Sequence, residues 1–201
     1  MQNFKELTKS EKIILTLKDK TNNYFFIDVN NTNININIEC NLKQHQDLNL
    51  YVYSLNKSSA KNFKININHS PYSKSNTFIK TFAINKGNTN IELISTINKN
   101  NTNVEAHQTI DGILFDDLSK INVIPSMVVD SNSIKSSHSV NIGNINPEQL
   151  FYLMSRGISK DKSTALLLDS MFSGIKDLKD KQAVDLYEKL NKTLLSFASQ
   201  K

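Results

Sequence analysis

The segment Asn33-Ile34-Asn35-Ile36-Asn37-Ile38 alternates strictly between polar and apolar residues. A period of two sets isoleucine on one face of an extended chain and asparagine on the other, which predicts a strand buried on one side. The same period returns over Leu48 to Leu55 and in Phe63-Lys64-Ile65-Asn66-Ile67-Asn68. Tyr24 to Val29, Thr77 to Ile84, Asn90 to Ile97, Asn103 to Thr109, Ile121 to Val129 and Ser133 to His138 read as further short strands. They are joined by Asn, Ser, Lys and Gly rather than by helices, at short and fairly even spacing. Such a series predicts an all-β body. Two architectures satisfy it. One is an antiparallel sandwich; the other is a parallel β-helix, whose corners suit asparagine because that residue tolerates the left-handed backbone region. Asn3 to Lys18 mixes Leu7, Ile13, Ile14, Leu15 and Leu17 with charges, a pattern open to a short helix followed by a strand.

The period changes at Asn146. Asn146-Pro147-Glu148-Gln149 carries a capping residue, a proline suited to the first helical position, and Gln three residues after the cap. Leu150, Phe151, Leu153 and Met154 form the apolar side of this helix, and Gly157 ends it. A second helix restarts at Ser159 or Lys160, with Ala165, Leu166, Leu168, Met171 and Phe172 on its buried side. A last helix runs from Leu178 or Lys181 to Ser196, with Ala183, Leu186, Tyr187, Leu190, Leu194 and Phe197 at spacings of three and four. The layout is therefore a β-body over residues 1–145 and a helical region over residues 146–201.

Composition narrows the chemistry. The 201 residues suffice for one compact domain. No apolar run approaches the roughly 20 residues that cross a bilayer, and Met1 to Lys20 has no apolar h-region of a secretory signal. The net charge is +5, but Arg156 is the single arginine, so the bidentate contacts of a nucleic-acid reader are not on offer. Cys40 is the single cysteine and makes no intrachain disulfide. These features predict a cytoplasmic protein without nucleic-acid or membrane partners. There is no phosphate loop, dinucleotide fingerprint or nucleophile elbow, and only five glycines. The four histidines, His45, His69, His107 and His138, are far apart in sequence. Asp116-Asp117 reads as a turn rather than an acid–base pair. A scaffold or binding protein is expected, not an enzyme. His138 closes the last predicted strand just before the helices, where it either serves as a ligand or pins the joint.

The run Ser137-His138, Val140, Gly143, then Glu148-Gln149-Leu150-Phe151-Tyr152-Leu153-Met154-Ser155-Arg156-Gly157-Ile158 resembles the C-terminal signature of the SufB/SufD family. Ala106-His107-Gln108-Thr109 with Ile113-Leu114, and Pro125-Ser126-Met127-Val128-Val129, resemble two upstream segments of the same family. The resemblance covers Phe63 to Phe172 and fades toward both ends. It implies a mostly β fold: a right-handed parallel β-helix followed by a C-terminal α-helical region. It implies a scaffold subunit of the SUF iron–sulfur cluster assembly machinery that pairs with a SufB-like chain or with itself. Its helices would dock a SufC-like ATPase, with Phe172, Leu186 and Leu190 as core or docking surface. The Ser-His form is closer to SufD than to SufB, and the region His107 to Gly112, where SufB carries its cysteine, has none. His138 then matches the SufD histidine implicated at the subunit interface, an imidazole ligand to a transient iron–sulfur cluster whose thiolate the partner supplies. In the helix signature Phe151 and Leu153 would be core, and Arg156 would tie the helix end to a carbonyl. Ser139 and Val140 depart from the family's glycine and alanine, and the chain is shorter than typical members. The alternative is a stand-alone β-helical binding or adhesion protein, using exposed asparagine and aromatic residues along one face.

Overall fold

A computed structural model describes residues 2–172 and 181–198. Among them lie eleven strands: β1 (Gln2–Glu6), β2 (Glu11–Leu15), β3 (Thr21–Asp28), β4 (Ile34–Asn41), β5 (Asp47–Lys57), β6 (Ala60–His69), β7 (Lys74–Ile84), β8 (Asn88–Ile97), β9 (Val104–Leu114), β10 (Lys120–Val129) and β11 (Ile134–Gly143). Three helices follow: α1 (Pro147–Ser155), α2 (Lys160–Ser170) and α3 (Lys181–Ala198). The odd strands make one sheet in the order β1-β3-β5-β7-β9-β11, and the even strands another, β10-β8-β6-β4-β2. Neighbours in both sheets run parallel. Consecutive strands thus change sheet at every corner, and the chain winds a β-solenoid of about five turns. This decides between the two architectures in favour of the parallel one. The N-terminal segment forms two strands, with no helix.

The in-register winding explains why the sequence alternates. Ile34, Ile36, Ile38 and Cys40 of β4 stack on Lys61, Phe63, Ile65 and Ile67 of β6, and all face the interior. Burial holds the Cys40 thiol up at about 12, so it is a core group rather than a nucleophile. The outward asparagines form ladders. Asn62 donates to Asn35, Asn90 to Asn62 and Asn122 to Asn90, at 2.7, 2.8 and 2.9 Å, along the outer face of the even sheet. Asn23, Asn49 and Asn76 make a second ladder on the odd sheet. Asparagine is thus used chiefly on the faces. At the corners, the residues with positive φ other than glycine are His45, Ser58, Tyr72, Asn85, Lys86 and Asn103, only two of them asparagine.

The odd sheet is covered on both sides. Its outer face carries Phe25, Tyr51 and Phe78, stacked at 4.6 and 5.1 Å between centroids, and beside them Ile27, Tyr53, Leu55 and Phe82. Helices α2 and α3 and the turn after α2 pack on this face through Leu168, Phe172, Ala183, Leu186, Leu190 and Leu194, all in one cluster with Tyr53 and Phe82. The helical region therefore shares a core with the β-body. One solenoid corner holds a fully buried ion pair, Lys61 with Asp28, in which the ammonium also donates to the carbonyls of Asn30 and Leu55, and Ser54 donates to the carboxylate. Desolvation dominates at both groups, raising the Asp28 carboxyl and lowering the Lys61 ammonium from their ordinary values.

Candidate functional site at the open end of the solenoid

Strands β10 and β11 end their sheets, and each has a hydrogen-bonded neighbour on one side only. Register fixes what β11 presents. His138 aligns with Gln108, Val140 with Ile110 and Ile142 with Gly112, all of which are inward positions one turn below. Gln108 and Ile110 are buried, whereas His138 and Val140 are exposed, because no further turn stacks on β11. His138 therefore stands on the inner face of the last strand, at the mouth of the solenoid. Ile124 and Val128 of β10 (62% and 56% exposed) add apolar surface at the same end, on the outer face of the even sheet. Isoleucine and valine left in water beside an unpaired strand edge mark a surface built for contact.

The His138 side chain makes no hydrogen bond or ion pair among the described residues, so it does not pin the joint between body and helices. His107 sits on the adjacent strand but on the other face, where its Nδ1 lies 2.7 Å from Ser137 Oγ and continues the asparagine column beyond Asn76. The two histidines are therefore kept apart. His69 is a satisfied core residue, with Nδ1 2.9 Å from Ser73 Oγ and Nε2 3.0 Å from Ser75 Oγ. Cys40 lies on β4, three strands from β10 in the even sheet, and is buried. Among the described residues no three His, Cys, Asp or Glu side chains come together. From this chain the mouth offers one imidazole; any thiolate must arrive from outside.

The helices revise several expectations. Phe172 and Leu190 are fully buried and Leu186 nearly so, in the cluster with the β-body, which leaves none of the three as docking surface. Phe151, expected in the core, is 74% exposed, and Tyr152, Met154 and Leu166 are exposed with it. Arg156 lies over the Tyr152 ring at 5.3 Å rather than on a carbonyl. The signal was present in sequence: Leu150-Phe151-Tyr152-Leu153-Met154 is a run of five, more than one helical face can bury. The helix ends hold as read. Asn146 Oδ1 accepts from the Glu148 and Gln149 amides, and Gly157 turns out of α1 at φ +83°. The alternative start of the last helix at Leu178 lies outside the described residues. Asp116 caps its turn by accepting from the Leu118 and Ser119 amides.

A groove of about 440 Å³ runs along the outer face of the even sheet, lined by the asparagine ladder with Lys64, Glu92 and Ile124. The aromatic residue in its lining, Phe63, is buried and faces inward. The groove thus lacks the exposed aromatic residues that the alternative of a stand-alone binding or adhesion face relied on.

Residues 8–171 match the family model described as SUF system FeS cluster assembly, SufBD core domain. The chain belongs to the SufBD core family. An iron-sulfur cluster assembly SufBD family protein of Pyrococcus horikoshii is 39% identical over 62 residues, 31% of this chain and 14% of that one. A SufBD family protein of Mycobacterium tuberculosis is 26% identical over 117 residues, 58% of this chain and 14% of its own length. The iron-sulfur cluster assembly protein SufD of Escherichia coli is 25% identical over 89 residues, 44% of this chain and 21% of that one. The SufBD match thus spans a small part, about a seventh to a fifth, of these relatives' length. The family-model match takes in both β11 and α1. No described helix is long and apolar enough to cross a membrane.

Proposed function

We propose that this SufBD chain is a SufD-like scaffold subunit of an iron–sulfur cluster assembly complex. It acts in the cytoplasm and does no chemistry on ATP itself. The β10–β11 end pairs with a SufB-like chain or with a second copy, and the exposed α1 face docks a SufC-like ATPase. His138 offers an imidazole to a cluster assembled transiently between the two subunits, whose thiolate comes from the partner. The cluster is cargo, held at the joint and passed on.

The observation that carries this reading is the placement of His138. It is an imidazole on an inward position of the last strand, in water because the solenoid ends there, with exposed apolar side chains at the same end. Imidazole replaces thiolate on iron without difficulty, and one His from one subunit leaves the other ligands to its partner.

Co-expression with a SufB-like protein and a SufC-like ATPase, followed by size-exclusion chromatography, tests the scaffold role. The expected result is a stable complex whose ATPase rate differs from that of the free ATPase. Reconstitution with iron and sulfide then tests the ligand. His138→Ala should leave the complex assembled and remove most of the visible iron–sulfur absorption. Failure to associate with either protein sinks the scaffold reading, and unchanged absorption in the variant sinks the role of His138.

A further inference from the structure

Gln108 lies one turn below His138, in the same inward column. It is 2% exposed. Its Nε2 donates to Ser95 Oγ at 3.0 Å and to the Ser126 carbonyl at 3.2 Å, which ties the amide across the interior to β8 and β10. With both of those bonds made, the orientation of the amide is set. Its Oε1 is nevertheless buried and has no partner among the described residues. A buried acceptor left alone costs about 1–3 kcal/mol, so such an atom calls for a donor.

Two donors neighbour it in register. Thr77 is below, and its hydroxyl also has no partner among the described residues. His138 is above, exposed, its imidazole free of hydrogen bonds among the described residues. Side chains in register on neighbouring strands stand about 4.8 Å apart, within reach of one another by side-chain rotation. A carbonyl oxygen has two lone pairs and takes both donors.

We propose that Gln108 is a positioning residue for His138: its buried carbonyl accepts the hydrogen of one imidazole nitrogen and holds the ring in a single tautomer. The other nitrogen then keeps its lone pair free at the mouth of the solenoid. Histidines that bind metals are commonly oriented by a carbonyl or carboxylate on the far nitrogen, which selects the ligating atom before the metal arrives. The last consequence rests on the reading of His138 as a ligand, whereas the hydrogen bond itself does not.

The test uses the full chain labelled with ¹⁵N-histidine, with no iron present, in long-range ¹H–¹⁵N correlation spectra above pH 8. His138→Ala assigns the resonances. The expected result is two well-separated nitrogen shifts for His138, one tautomer dominating by about tenfold or more, the ratio that roughly 1.4 kcal/mol sustains. In Gln108→Leu the ratio should fall several-fold toward that of free imidazole, while Thr77→Val leaves it unchanged. Gln108→Met, unbranched and of similar volume, serves if the leucine variant folds poorly. Intermediate shifts in the wild-type chain overturn the proposal, with Gln108 serving Thr77 alone. So does a single tautomer that persists in both Gln108 variants. Neither outcome touches the scaffold reading, which is decided by partner association and by His138→Ala reconstitution.

Discussion

His69 is the clearest case of a titratable group made structural by its surroundings. Both ring nitrogens meet serine hydroxyls, and burial lowers the imidazole from its ordinary 6.5 to about 4. The fold therefore holds a neutral ring, and protons bind first to the unfolded chain. The stabilisation is fully present above pH 6.5 and is lost as the pH falls from there toward 4, about 3 kcal/mol in all. Urea unfolding at pH 7.5 and pH 4.5 should show a larger acid loss in the wild type than in His69→Gln, by about 2 kcal/mol. Equal losses would mean that the ring is charged or hydrated in the fold. At this scale the sequence located the histidines but gave no sign of their environments. His69 and His138 each end or close a run of alternating residues. One has a turn above it and the other has none, a distinction that exists only after the chain is wound.

At the scale of elements, the asparagines that alternate with isoleucine are more than solvated faces. In register they bond to one another, each side-chain amide donating to the carbonyl of the rung below. Asn62 sits inside the ladder and makes two such bonds, whereas Asn122 ends it with one. Asn62→Ala should therefore destabilise by about 1 kcal/mol and Asn122→Ala by roughly half that, since each exposed hydrogen bond contributes little net. Denaturant midpoints with unchanged slopes would establish the difference, and equal values for the two variants would show the ladder to be passive. The strict alternation of β4 and β6 was legible because one face of the even sheet meets water. The odd strands read differently, as Tyr24-Phe25-Phe26-Ile27 and Leu50-Tyr51-Val52-Tyr53 without polar gaps. Such runs suit strands covered on both faces, but the period-two reading of Leu48 to Leu55 did not anticipate the helices on the outer face of this sheet. Periodicity alone left sandwich and solenoid open, because both use strands of period two.

At the scale of the whole molecule, two of the exposed apolar surfaces among the described residues bear on partners. One lies along the last strands, with Ile124 and Val128 on the outer face of β10 and Val140 on β11, and the other is the outer side of α1 with Leu166. The α1 face differs from Phe172, which stacks on Tyr53 and Phe82 at 5.9 and 5.4 Å. Phe151→Asp should change stability by less than about 0.5 kcal/mol, as exposed substitutions do, and weaken binding of the SufC-like ATPase by tenfold or more. Phe172→Ala should cost about 3–5 kcal/mol and serve as the contrasting core variant. Calorimetric titration with the ATPase, beside thermal unfolding of each variant, separates the two effects. Undiminished binding by Phe151→Asp would move the docking surface elsewhere.

The sequence by itself determined the β-body, its division from the helices near Asn146, the caps of α1 and the family, because these rest on local period, capping chemistry and a contiguous run of residues. Tertiary structure alone decided which apolar side chains are core. Phe151 and Phe172 are alike in sequence, but only Phe172 meets the outer face of the odd sheet. It alone also decided that Gln108 lies beneath His138. The two are thirty residues apart in the chain, and the winding of one turn, whose length no local signal encodes, brings them into one column.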